Sequence, residues 1–198
     1  MTRSGDRRVA MAVVLVVAVA GLLTAPDAAF GKKKAKKFEE QYRLTAMGTG
    51  HSGLAAGRAS ALDLTVKRWT TAEERQAILE VLATNDGEKI LRFLEHLPEV
   101  GFIRVPGRQG VELSYAYEFE EDGKRTVVLA TERSLASMPM LMDPGVEYLV
   151  AVIVLRLDED GTGDGHIAPA LELEMKGDRL EVVSSAADPI TLTKVVRR

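Results

Sequence analysis

The sequence predicts a mainly β (α+β) domain, an antiparallel sandwich or barrel of about eight or nine strands with an inserted two-helix hairpin. Three observations predict it. Apolar residues recur with period two over most of the chain beyond Glu40, as in half-buried strands. The runs are joined by short segments of turn residues, among them Asp122-Gly123, Gly177-Asp178 and Asp188-Pro189. The period becomes helical only once, near residues 71–97, so strands and helices do not alternate and a parallel doubly wound sheet is excluded.

An address precedes the domain. Arg3, Arg7 and Arg8 lead into an unbroken apolar run from Val9 to Leu23, and Ala29-Phe30-Gly31 offers a cleavage site. Basic start, short apolar middle and small-residue end read as a signal peptide over residues 1–31, giving a periplasmic or secreted protein. The alternative is an uncleaved inner-membrane anchor formed by residues 9–23, although such a run is shorter than the roughly 20 residues that span a bilayer comfortably. Five lysines follow in Gly31–Lys37, so residues 32–40 read as a basic tether and 41–198 as the folded domain. Membrane contact is expected only through the N-terminal segment. Residues 1–31 carry a net +1 of the chain's −3, so the remainder is −4, and −9 without the five lysines. The folded body is acidic, and the chain's net charge of −3 is too close to neutral to argue for a nucleic-acid partner. The absence of cysteine excludes disulfides, Cys-ligated metals and thiol catalysis.

The elements follow in order. In SALDLTVKRW, Leu62, Leu64 and Val66 share one strand face and Asp63, Thr65 and Lys67 the other. TTAEERQAILEVLA opens with Thr71 and Glu74 at capping-box spacing, and Ile78, Leu79 and Leu82 form a helical stripe. Asn85-Asp86-Gly87 ends this helix and starts a second, with Ile90, Phe93, Leu94 and Leu97 at helical spacing up to Pro98. In VELSYAYEFEEDGKRTVVLATER, Val111, Leu113, Tyr115, Tyr117 and Phe119 alternate with polar residues up to the Asp122-Gly123 hairpin turn. This register sets Tyr115 beside Ala130 and Tyr117 beside Val128, and predicts ion pairs Glu121–Lys124 and Glu120–Arg125. Residues 146–157 are nearly all apolar, as in a strand covered on both faces. Ile167, Leu171, Leu173 and Met175 alternate in the next strand; RLEVVSS and ITLTKVV complete the set.

Few residues carry chemistry. LDEDGTGDGHI (157–167) places Asp160, Thr162 and Asp164 as in an EF-hand loop, but Leu171 stands where the bidentate Glu should be, and strands flank it. It reads as a turn, with Asp158, Asp160, Thr162 and Asp164 as candidates for weak Ca2+ binding; no other cofactor is implied. Gly48, Gly50 and Gly53 match G-x-G-x-x-G, yet no parallel-strand series follows, so a glycine-rich connection is expected. Met138, Met140 and Met142 form a Met–Pro loop suited to closing over apolar surface; thioether ligation of Cu(I) is the lesser reading. His51, His96 and His166 stand in no metal-ligand spacing, and no G-x-S-x-G elbow occurs.

LDLTVKRWTTAEERQAILEVL, LPEVGFIRVPG and VVLATERS together resemble a group of uncharacterised exported bacterial proteins, over roughly Thr45 to the C-terminus. The resemblance implies export and lends no catalytic residues. The expected function is therefore an exported, non-catalytic binding or interaction domain, its partner a protein, an envelope component or an apolar small molecule. One alternative is a carrier with an apolar molecule in a barrel cavity, lined or covered by Trp69, Tyr115, Tyr117, Phe119 and the methionine loop. Another is a hydrolase using His51 or His166 with nearby carboxylates.

Overall fold

The computed structural model describes residues 38–47, 59–84, 86–133, 135, 148–177 and 179–198. The elements are β1 (Glu40–Met47), β2 (Ala59–Val66), α1 (Ala72–Leu82), α2 (Gly87–Glu95), β3 (Gly101–Arg104), β4 (Val111–Leu113), β5 (Tyr115–Glu121), β6 (Lys124–Thr131), β7 (Val150–Leu157), β8 (Thr162–Lys176), β9 (Arg179–Ser185) and β10 (Ile190–Arg197). One antiparallel sheet runs β4-β3-β2-β1-β10-β8-β7-β6-β5, with β9 added on β8. The two ends of that path, β4 and β5, are consecutive pieces of chain separated by Ser114 alone. The sheet therefore curls into a nearly closed barrel, which decides between the two expected architectures. Ten strands replace the eight or nine read from the sequence, and Ser114 splits one that the sequence reads as continuous.

That split also reverses a face. Val111 and Leu113 point into the barrel, as does Ala116, whereas Tyr115, Tyr117 and Phe119 point outward. The Ser114 N–H donates to the Ala130 carbonyl (3.0 Å), and the strand bends there as at a bulge. Thr70 clasps the seam: its N–H donates to the Ala116 carbonyl (2.8 Å), and its hydroxyl accepts from the Ala116 N–H (2.9 Å).

Two apolar cores result. Alternate residues of the strands, including Leu44, Leu62, Leu64, Ile103, Leu129 and Ile153, fill the barrel interior and are fully buried. Outside, α1 and α2 lay Ile78, Leu82, Ile90 and Leu94 over Tyr115, Val128, Ala130 and Val152. β7 is apolar on both sides because it faces both cores. Leu79 departs from the expected stripe and is exposed. The Thr71–Glu74 capping box forms as spaced, and Asp86 caps α2 through the Lys89 N–H.

β8 changes role along its length. As far as Ala170 it pairs with β7; bulges at 170–173 then turn it and β9 across the outer face, so that Leu173, Met175, Leu180 and Val182 join the outer core. The bulges break the predicted alternation: Ile167 faces the barrel interior and Leu171 is 50% exposed. The Arg179 guanidinium pins this arm, lying 3.9 Å from the Phe119 ring centroid and donating to Glu121 (2.6 Å).

The expected signal peptide and the five lysines lie outside the described residues. Phe38 to Glu40, assigned to the tether in the sequence, belong to the fold: Glu40 opens β1, and the Phe38 ring sits 6.0 Å from that of Trp69. Among the described residues no helix is long and apolar enough to cross a membrane.

Candidate functional site

The densest charged cluster closes one end of the barrel. β1 alternates inward through Glu40, Tyr42, Leu44 and Ala46, so its first inward position is a carboxylate, only 5% exposed. Arg125, at the start of β6, grips Glu40 through both terminal nitrogens (2.6 and 2.9 Å) and also donates to Glu118. Arg197, at the end of β10, approaches the same carboxylate at 2.5 Å. Burial works to raise the Glu40 pKa, but hydrogen bonds and charge from Arg125, with the charge of Arg197, outweigh it and leave the group below its usual range. The neighbouring Tyr42 hydroxyl is buried without a hydrogen bond of good geometry; burial first, then the charge of Glu40, pushes its pKa up. The Arg125 guanidinium stands 5.9 Å from the Trp69 ring centroid. Carboxylates and guanidiniums satisfy one another here, so the cluster acts as an ionic plug for the barrel end.

The acidic segment borders that end as the β7–β8 turn. The Asp158 N–H donates to the Thr162 carbonyl (2.8 Å), and Gly161 takes the positive φ that the turn needs. Asp158 pairs with Lys124 (3.0 Å), and Asp160 accepts from the Thr162 N–H and hydroxyl (2.9 and 2.7 Å). Those bonds hold the Asp160 pKa below its usual range. Asp164 stands opposite Arg156. The four calcium candidates are thus spread around a turn, with Asp158, Asp160 and Thr162 each engaged by a neighbour. Among the described residues no three acidic or histidine side chains gather to hold a metal ion.

The ligand-lining candidates also separate. Tyr115, Tyr117 and Phe119 face the outer core, not the barrel interior. Arg75 covers the Tyr117 ring at 4.5 Å as Arg179 covers Phe119. Trp69 packs at the edge of the interior core. Met138, Met140, Met142, His51 and the glycines at 48, 50 and 53 lie outside the described residues. His166 occupies the outward row beside Val154, and no described side chain hydrogen-bonds to its ring. Burial, then the charge of Arg156, lowers its pKa despite Asp164. His96 ends α2, with Nδ1 donating to the Arg92 carbonyl (2.5 Å).

A recess absent from the sequence-based reading lies across the molecule. Glu95 and His96 of the α2 end, Gln109 to Glu112, and Glu132 with Arg133 beyond β6 line an open groove of about 940 Å³. The Glu132 side chain is 7% exposed, its Oε2 has no hydrogen-bond partner among the described residues, and its Oε1 lies 3.7 Å from the Arg133 guanidinium. One signal was available in the sequence: Glu132 directly follows the mostly apolar run VVLAT, 127–131, where a carboxylate is out of place.

The fold and this groove define a nearly closed antiparallel barrel with an external polar recess. No protein-family model, curated protein or solved structure matches the chain.

Proposed function

We propose that the chain is an exported, non-catalytic binding domain that takes its ligand on the outside of the barrel. The single observation carrying this reading is the solid interior: inward side chains of the strands fill the space where a carrier barrel would hold its cargo. The surface groove at Glu132 is an open polar recess with the buried, unsatisfied Glu132 Oε2 in its wall. Export rests on the N-terminal order of basic, apolar and small residues. Native mass spectrometry of protein purified from its own host tests both parts. The expected species has lost about its first 31 residues and carries a ligand or partner. A full-length, ligand-free monomer resident in the cytosol overturns the proposal.

A second reading, carriage of an apolar small molecule, moves from the barrel interior to the seam beneath the helix pair. Ile78, Leu82, Ile90, Leu94, Tyr115, Leu173 and Leu180 line it without a polar atom. Its free space of about 10 Å³ holds no more than one water, so cargo enters only if the helices lift.

A further inference from the structure

We propose that the Glu132 groove binds a linear polyamine, a chain bearing two or more alkylammonium groups. The inference rests on the reading of the domain as a binding module and names its ligand class. Three carboxylates, Glu95, Glu112 and Glu132, line the groove against one cation, Arg133. The α2 end adds the partial negative charge of its terminal carbonyls. His96 spends Nδ1 as a donor to the Arg92 carbonyl and so offers the groove no carboxylate-binding donor from that nitrogen. Acceptors therefore predominate, and the missing complement is a donor.

Glu132 makes that need specific. A carboxylate this buried ordinarily keeps a charged donor within hydrogen-bond reach. Arg133 divides itself between Glu132 (3.7 Å) and the exposed Glu112 (3.4 Å), both outside good hydrogen-bond distance. A metal ion is the wrong complement, because the carboxylates do not converge on a point. Ammonium groups spaced along a methylene chain suit acceptors that are spread out, each satisfying one. The net −9 outside the leader and lysine segment attracts such a cation over distance.

Calorimetric titration of the full chain with spermidine, at physiological ionic strength, tests the proposal. The expected result is one saturable site, weakened on the order of tenfold by Glu132→Gln and by Glu112→Gln. Glu159→Gln, an equal loss of charge at the opposite barrel end, leaves the affinity unchanged. Thermal melts supply a readout that a purely structural carboxylate would not give: Glu132→Gln keeps or raises the melting temperature of the free protein while weakening the ligand. Equal weakening by Glu159→Gln shows diffuse charge attraction and overturns the site. So does Ca2+ competing at equal concentration, or no binding at all. A lysine tripeptide that binds more tightly than spermidine assigns the groove to a peptide and overturns the polyamine. If native mass spectrometry finds some other ligand while spermidine fails, this inference falls and the binding-domain reading stands.

Discussion

Glu40 shows how one residue ties distant parts of the chain together. Its partners come from β6 and β10, so no local pattern betrays the pairing, and the sequence places Glu40 in a tether. Glu40→Gln leaves Arg125 and Arg197 short of a counter-charge in a buried site and should cost about 3 kcal/mol at neutral pH. The folded pKa is lowered, so the unfolded state holds more protons in acid. The stabilisation is whole above the ordinary carboxylate range and drains away as pH falls through the lowered folded pKa. Urea melts of the two proteins should accordingly converge only in acid below the ordinary carboxylate range. Gly165 makes a second residue-scale test. A methyl group there collides with the Val154 carbonyl oxygen, and Gly163 stands likewise against Arg156. These glycines, legible in the sequence only as turn formers, let neighbouring strands close up at a barrel corner, opposite a bulge in β10 where Lys194 takes φ 51°. Gly165→Ala should destabilise by about 1–3 kcal/mol, read as a lower denaturant midpoint at unchanged slope.

Individual elements were legible wherever their signals are local. The capping box needs four consecutive residues and forms as spaced; Thr71→Ala should cost about 1 kcal/mol, measured by thermal melting. The β5–β6 hairpin needs its turn and its alternation, and it has the expected register, with Asp122 and Gly123 both at positive φ. Its ion pairs do not follow from the register. Lys124 binds Asp158, Arg125 binds Glu40 and Glu118, and Glu121 binds Arg179, because the closed sheet brings other partners within reach of each side chain. The face reversal at Ser114 and the bulges in β8 were illegible for a related reason. An extra residue in a strand is set by the curvature of the closing sheet, and the sequence carries no local mark of it.

At the scale of the whole molecule, composition and periodicity gave a β-rich fold with one helix pair, and the structure bears this out. Closure into a barrel was beyond them, since it depends on β4 and β5 serving opposite ends of one sheet. The groove was likewise hidden, because α2, β4 and the end of β6 meet only in three dimensions. Pairing β1 with β10 and clasping Thr70 to Ala116 demand contacts between remote residues. Refolding from urea should therefore take milliseconds to seconds, not microseconds, in stopped-flow fluorescence of Trp69.

The final strand has a consequence for how this protein is made. β10 is the stave between β1 and β8, so β1 waits with one flank bare until β10 has been synthesised. A nascent chain stalled before Ile190 holds two open edges at once, each a template for a stray strand. Production of the barrel is thus a matter of timing, with the emergence of β10 as the event that shuts it.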